Sequence, residues 1–204
     1  MSAEVKVVIA GVGGQGAVLG GSVLALSAIK AGFSVRTFGN MGMSRRGGSV
    51  ASFVNIFKGA GTSATAEGTA DLLLGMEPIE ALRYCRYLHK DGVAIINSYL
   101  IQPSTVTRKA RAEMPKSDDL HQFIKKNFKN TVSFNATKVA EDIDTVTMNT
   151  VMLGAGFATG LIPIPTETFK QTIRDSFRPD LAKMNIKAFK RGYEEYERLT
   201  RGGG

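Results

Sequence analysis

The sequence predicts an α/β protein, with residues 1–204 forming a single domain around an open, mostly parallel, Rossmann-like sheet that has helices on both faces. Three observations support this fold class. Short β-branched runs alternate with segments of helical spacing, as in βαβ units. Residues 72–74 are three consecutive leucines, a pattern typical of a strand buried on both faces. A glycine-rich turn also lies between the first strand and the first helix, where such folds place it.

The elements follow one another in the order β-α-β-β-β-α-β-α-β, after which the chain continues in helices. β-Branched and apolar runs predict strands at 5–10, 34–39, 49–57, 70–78, 93–98 and 131–137. Apolar residues at helical spacing predict helices at 17–32, 79–92, 118–128, 144–163 and about 180–200. The consecutive strands at 34–39 and 49–57 break the strict alternation, so we expect the intervening segment to lie near the edge where open α/β sheets build their sites.

Composition excludes several classes of protein. The hydrophobic share of 43% and the charged share of 22% are ordinary for a globular protein, and neither indicates disorder. The most apolar stretch, 146–165, is interrupted by glycines and a proline and does not give the roughly 18 or more apolar residues that a membrane helix needs. The N-terminus lacks the pattern of a signal peptide. We therefore expect a cytoplasmic protein without a membrane partner.

This chain contains few residues that could ligate a metal ion or an iron–sulfur cluster. Cys85 is the only cysteine, so the chain cannot build an iron–sulfur cluster or a disulfide framework by itself. His89 and His121 are far apart and lack the spacing of metal ligands. We expect no metal site, and any electron-transfer centre has to belong to another chain.

The net charge of +8 and the pI of about 9.7 favour an anionic partner: a nucleotide cofactor, an acidic protein or a nucleic acid. The basic residues are spread out and interleaved with acidic ones, and they do not alternate with aromatic residues as in single-strand binding surfaces. This pattern disfavours nucleic acid.

The glycine-rich turn reads GVGGQG and contains Gly11, Gly13 and Gly16 in G-x-G-x-x-G spacing. Such a turn lets a ligand approach the backbone, and the free N–H groups at the start of the helix attract an anion. An NAD site also needs an acidic residue at the end of the second strand, but residues 35–38 are Val, Arg, Thr and Phe. Arg36 could meet a 2′-phosphate, so a free-standing NADP-binding reductase stays open as an alternative.

A second candidate motif is MGMSRRGGSV, residues 41–50. The guanidinium groups of Arg45 and Arg46 suit phosphate or carboxylate, and the two following glycines leave the backbone accessible. We find no nucleophile–base pair, no paired-carboxylate motif and no P-loop, so we expect no catalytic residues in this chain. A plain anion-binding or scaffolding domain is a third interpretation.

Together, GVGGQG, GMSRRGGSVASFVNI and ADLLLGMEPIEALR resemble the gamma-type subunits of 2-oxoacid:ferredoxin oxidoreductases. The nearest version is the small subunit of indolepyruvate ferredoxin oxidoreductase, and the resemblance extends through NTVMLGAGFATGLIPIP to NIKAFKRGYE. One difference concerns the loop, which in the indolepyruvate type usually reads His-Gly-Met-x-Gln-Arg-Gly-Gly. Here Met41 and Arg45 replace the His and the Gln.

The resemblance implies an accessory subunit in the oxidative decarboxylation of a 2-oxoacid, such as an aryl pyruvate. Thiamine diphosphate and iron–sulfur clusters would belong to companion catalytic subunits that pass electrons to ferredoxin, and coenzyme A would accept the acyl group. This chain would pack near the active site, be inactive alone, and in isolation could pair with a second copy. The positions expected to contact a cofactor or a partner are Gly11, Gly13, Gly14, Gln15, Gly16, Arg45, Arg46, Gly47, Gly48, Ser49 and Asn149.

Overall fold

The computed structural model describes residues 4–41, 48–59, 64–101 and 116–201. Within these residues the strands are β1 (Glu4–Val12), β2 (Ser34–Met41), β3 (Ser49–Phe57), β4 (Ala70–Gly75), β5 (Leu88–Asn97) and β6 (Asn130–Phe134). The helices are α1 (Ala17–Lys30), α2 (Pro78–Tyr84), α3 (Ser117–Asn127), α4 (Ala136–Glu141), α5 (Met148–Ala158), α6 (Thr166–Ser176) and α7 (Pro179–Arg201). Short 3-10 turns occupy Cys85–Tyr87 and Thr145–Thr147.

The six strands form one sheet in the order β2-β3-β1-β4-β5-β6. Strands β1, β4, β5 and β6 pair in parallel, whereas β3 runs antiparallel to both of its neighbours. The predicted α/β class with a mostly parallel sheet is therefore confirmed. Because β3 alone is reversed, its first residue lies at the carboxyl ends of the parallel strands, opposite Val12 of β1.

Helices cover both faces of the sheet, as predicted. Val7 and Ile9 of β1 belong to one buried cluster, which also contains residues of α1, α5, α6 and α7. Val8 and Ala10 point the other way, into a second cluster completed by α2 and α3. Alternate side chains of a strand face opposite sides of a sheet, so an apolar strand such as β1 requires a helical layer on each side.

The long C-terminal helix α7 packs on α5 with almost no space between the two backbones. A Cβ added at Gly154 would overlap the carbonyl oxygen of Phe189, and one added at Gly192 would overlap the carbonyl oxygen of Val151. Beside this contact the rings of Phe157, Phe169 and Phe189 pack with centroids 4.6–5.2 Å apart. This contact holds α7 against the domain.

The helix predicted at 79–92 is wrong beyond its first half. α2 ends at Tyr84, and β5 begins at Leu88. Ala70 of β4 pairs with Leu88 and Leu72 pairs with Val93, so β5 carries extra residues in an irregularity of the register. Apolar residues at helical spacing therefore belong here to a helix, a turn and an irregular strand in succession.

Other boundaries also differ from prediction. β6 ends at Phe134, since Asn135 caps α4 by accepting the backbone N–H of Lys138 at 2.8 Å. The helix predicted to continue to Pro163 ends at Ala158. α6 was not predicted, although Pro165 before its start and the buried Phe169 and Ile173, four residues apart, are signals of an amphipathic helix. Among the described residues, no helix is both long and apolar enough to cross a bilayer.

We expect Gly192→Ala to lower the free energy of unfolding by roughly 2–3 kcal/mol, because its methyl group must push α5 away from α7. Gly20→Ala in α1 is the matched control, since a Cβ there would be 3.4 Å from the nearest side-chain atom, an ordinary contact. Denaturant titration of the two variants measures the difference. Equal stability of both variants would contradict the close packing of α5 on α7.

Candidate functional site

The glycine turn links the end of β1 to the start of α1 at the carboxyl edge of the sheet. Its shape depends on Gln15, whose Oε1 accepts the backbone N–H of Val12 at 2.8 Å. The Nε2 of the same side chain donates to the carbonyl oxygen of Met76, just after β4, at 2.9 Å. Gln15 therefore fastens the turn to the neighbouring parallel strand. Gly14 lies exposed in the turn.

Gly16 is the N-cap residue of α1 and adopts a left-handed backbone conformation, with φ of 77°. A Cβ at this position would also collide with the side chain of Asn149. The Asn149 Nδ2 donates to the carbonyl oxygen of Gly16 at 3.3 Å, and its Oδ1 accepts the backbone N–H of Thr150 at 2.8 Å. Asn149 is 95% buried beneath the turn. Its hydrogen bond to Gly16 holds the start of α1 in place.

The two sequence motifs meet in the structure. The backbone N–H of Gly13 donates to the carbonyl oxygen of Gly48 at 2.8 Å. Met41 at the end of β2 pairs with Val50 in β3, so the segment between these strands begins and ends at this edge of the sheet. Residues 42–47, which include Arg45, Arg46 and Gly47, lie outside the described residues. Gly48 and Ser49 are the members of this motif that the structure places beside the glycine turn.

Ser49 contacts α2 through its side chain. The Oγ donates to the Glu80 carboxylate at 2.5 Å and lies 3.3 Å from the Tyr84 hydroxyl. Glu80 is 96% buried and also pairs with the exposed Arg83, whose Nε is 3.3 Å from the carboxylate. The single hydroxyl hydrogen of Ser49 is thus already used, so toward any ligand this hydroxyl could act only as an acceptor.

The start of α1 is electropositive. Gly16 supplies no side-chain cap, and no acidic residue lies in the first turn of the helix. The first N–H groups of a helix carry partial positive charge and have no partner within the helix itself. An anionic group close to Gly14 and Gly16 would therefore be stabilised by the backbone.

Sequence reasoning missed the polar groups that hold this edge together. Asn97, at the end of β5, donates its Nδ2 to the same Met76 carbonyl oxygen at 3.0 Å, and its Oδ1 accepts the backbone N–H of Ala136 at 3.0 Å. Glu77 follows Met76 and caps α2 by accepting the N–H groups of Ile79 and Glu80 at 2.7 and 3.0 Å. The Glu-Pro pair at 77–78 was the available signal, because proline is favoured in the first turn after an N-cap.

Burial of Glu77 raises the pKa of its carboxyl group above the usual value of about 4.5, and the backbone hydrogen bonds oppose that rise without cancelling it. The side chain is 99% buried. Its Oε1 also lies 3.4 Å from the backbone N–H of Ile101. The carboxyl group therefore ties α2 to the segment after β5, at the edge that carries the glycine turn.

The geometry does not support the NADP interpretation. In a dinucleotide fold the second strand lies beside the first, but here β3 separates β2 from β1. Arg36 pairs across the sheet with Asn55, which pairs with Lys6, so it is level with the beginning of β1. At ~3.3 Å per residue, that is about 17 Å along the strands from Gly11. Its guanidinium group lies over the Phe57 ring, 5.7 Å from the centroid.

The described residues contain no group of three or more His, Cys, Asp or Glu side chains positioned to hold a metal ion. The Cys85 thiol donates to the carbonyl oxygen of Leu82 at 3.0 Å, and burial raises its pKa, which disfavours the thiolate. His89 is exposed and accepts the backbone N–H of Asp91 at 3.3 Å. The side chains of Gln15, Ser49 and Asn97 at this edge are polar and hydrogen-bonded within the chain.

Fold and site define an α/β protein whose glycine turn lies at the carboxyl edge of a mostly parallel sheet. The profile of the pyruvate ferredoxin/flavodoxin oxidoreductase family matches residues 6–195, so the chain belongs to this family. It is 37% identical to the indolepyruvate oxidoreductase subunit IorB of Pyrococcus horikoshii, over 93% of this chain and 94% of that subunit. It is 30% identical to the common gamma subunit of the pyruvate/ketoisovalerate oxidoreductases of Pyrococcus furiosus, over 92% of this chain and 94% of that subunit.

One solved structure has the same fold within a much longer chain. It is the 2-oxoglutarate:ferredoxin oxidoreductase of Magnetococcus marinus with 2-oxoglutarate, coenzyme A and succinyl-CoA bound. The TM-score is 0.71 at 17% identity, over 98% of this chain and 32% of that one. The family match and the two relatives of 30% identity or more confirm the predicted resemblance to gamma-type subunits.

We expect the raised pKa of Glu77 to make the protein less stable as pH rises. Between about pH 4.5 and the raised folded value, the folded state binds the proton more tightly than the unfolded state does, so folding loses stability across that interval. Glu77→Gln should remove this loss. The difference in unfolding free energy between wild type and variant, measured from pH 4 to 8, should shift in favour of the variant as pH rises.

The exposed Glu141 in α4 provides the control. Glu141→Gln should keep the wild-type dependence of stability on pH. A pH profile of Glu77→Gln that runs parallel to the wild type would contradict the raised pKa.

Proposed function

We propose that this chain is the gamma-type accessory subunit of a thiamine-diphosphate-dependent 2-oxoacid:ferredoxin oxidoreductase. The observation that carries the proposal is the similarity to IorB, because it runs through 93% of this chain at 37% identity. The family match over residues 6–195 includes both glycine motifs. A companion subunit would hold the thiamine diphosphate, which stabilises the carbanion formed on decarboxylation, and iron–sulfur clusters would carry the electrons to ferredoxin. This chain would bind the companion subunit or coenzyme A and would help to position it near the active site.

The carboxyl edge of the sheet is the part that we assign to this work. The N–H groups at Gly14 and Gly16 and the positive end of α1 favour a phosphate or a carboxylate. The Gly13–Gly48 hydrogen bond holds Gly48, which follows Arg45 and Arg46 in the sequence, beside this turn. We propose that these two arginines contact either the phosphates of coenzyme A or carboxylates of the companion subunit, near its active site.

For the substrate we propose an aryl 2-oxoacid, since the chain is more similar to the compared indolepyruvate subunit, at 37%, than to the compared gamma subunit, at 30%. Met41 and Arg45 depart from the indolepyruvate motif, and the extra cation would suit a more acidic ligand or partner. A panel of 2-oxoacids, assayed with the reconstituted complex and a ferredoxin acceptor, tests the assignment. Faster turnover of pyruvate or 2-oxoglutarate than of indolepyruvate would overturn it.

Arg45→Ala combined with Arg46→Ala should raise the KM for coenzyme A or weaken assembly by at least tenfold, because two charge-assisted contacts are removed. The isolated variant should unfold at the wild-type temperature. Lys125→Ala with Lys126→Ala is the matched control, as it removes two adjacent cations from the last turn of α3. Coenzyme A kinetics and the subunit Kd, measured separately, distinguish the two ligands of the arginines.

Wild-type kinetics and assembly in the arginine variant would refute this assignment of the loop. The proposed function itself fails if the chain forms no complex with a thiamine-binding subunit. Titration of the isolated chain with NADPH tests the reductase alternative, and we expect no saturable binding.

A further inference from the structure

The outer face of α1, which points away from the sheet, carries large apolar side chains that are exposed. The helix has the sequence AVLGGSVLALSAIK, and one side of it packs on the sheet. The opposite side presents Val18, Leu19, Leu26 and Ile29, whose side chains are 40%, 48%, 48% and 58% exposed. These are four of the eight large hydrophobic residues that are exposed in the described part of the chain. A helix that is apolar around its whole circumference is normally buried on both sides.

The surface helices α6 and α7 differ from α1 in the polarity of their exposed faces. The exposed positions of α6 and α7 are polar and charged, and they carry ion pairs such as Lys170–Glu167 and Arg198–Glu195. On α1 the exposed face offers only Ser22 and Lys30 as polar groups, and Lys30 pairs with Asp175 of α6. The apolar face of α1 is therefore specific to this helix. Clusters of this kind on a protein surface mark interaction sites.

A groove next to this face could receive a side chain of a partner. It has a volume of about 130 Å³ and lies between α1 and the sheet, lined by Val18 and Ser22 on one side and by Thr37, Gly39 and Ser52 on the other. β2 is an edge strand of the sheet and, among the described residues, pairs only with β3. Apolar helix, groove and strand edge form one continuous surface, which we name the α1 surface.

We propose that the α1 surface is the docking site for the large, thiamine-binding subunit of the same oxidoreductase, an inference that rests on the proposed function. The α1 surface begins with Val18 and Leu19, in the turn of helix that directly follows Gly16. A subunit that contacts both the glycine turn and the outer face of α1 would therefore contact these side chains.

Two observations favour a larger subunit over a second copy of this chain. In the Magnetococcus structure the same fold makes up 32% of one polypeptide, so the remaining two thirds of that chain are available to cover it. The net charge of +8 makes two copies repel each other, whereas an acidic or neutral partner would not be repelled. We therefore expect an apolar partner surface bordered by acidic residues.

The test uses the full chain, co-expressed with its large subunit. Ile29→Lys should weaken assembly at least tenfold, and Leu26→Lys with Ile29→Lys should abolish co-purification. Lysine is tolerated in the C-terminal half of a helix, so the fold should be retained. Phe123→Lys in α3 is the matched control, since Phe123 is 57% exposed and lies on the other side of the sheet. It should leave the Kd within twofold of the wild type.

The outcomes separate the two proposals. Normal assembly of both α1 variants with the large subunit overturns the docking site while leaving the proposed function intact. Dimers of the wild-type chain that persist in the presence of the large subunit and become monomers on Ile29→Lys identify a second copy as the occupant, which also overturns the docking site. Failure of the wild-type chain to assemble with the large subunit overturns both proposals.

Discussion

The carbonyl oxygen of Met76 accepts hydrogen bonds from two side chains that come from opposite directions, Gln15 Nε2 at 2.9 Å and Asn97 Nδ2 at 3.0 Å. Gln15 belongs to the turn after β1, and Asn97 ends β5 on the far side of β4. One backbone oxygen thus fixes the carboxyl ends of three adjacent strands. Because these contacts are largely buried, leaving one partner unsatisfied would cost about 1–3 kcal/mol. The glycine turn can only present its N–H groups in a fixed direction while this junction is intact.

Much of this arrangement follows from local sequence. The β-branched run before GVGGQG, the apolar helix after it and the leucines at 72–74 each specify one element, and the structure contains each of them. Local signals failed where partners distant in sequence decide the outcome. Leu88–Asn97 is a strand because it pairs with β4, although its first residues continue a helical pattern. The helix predicted at about 180–200 is present as α7, but Gly192 at its contact with α5 gave no local signal, because glycine has no side chain that could mark a buried position.

The candidate site was predicted only in part, again because some of its contacts join residues that are distant in sequence. The glycine turn and Ser49 were found as motifs, and the Gly13–Gly48 hydrogen bond joins them. The carboxylate of Glu80, which accepts the Ser49 hydroxyl, lies 31 residues away in sequence and gave no local signal. The order of the strands in the sheet, which local sequence does not specify, decides the dinucleotide question. With β3 between β1 and β2, Arg36 lies far from the turn, and a sequence pattern compatible with a dinucleotide becomes incompatible with one in space.

The pairing of Met41 with Val50 has a consequence for how such a subunit can diversify. The two strands that flank residues 42–48 are held in register by their own hydrogen bonds, and both are anchored to the core through β1. Substitutions or changes of length between them need not alter the register of the sheet, since loops joining paired strands tolerate such changes. Under the proposed function, the segment between β2 and β3 is in this sense exchangeable: a common scaffold could acquire a different ligand or partner by replacing a few residues at one edge.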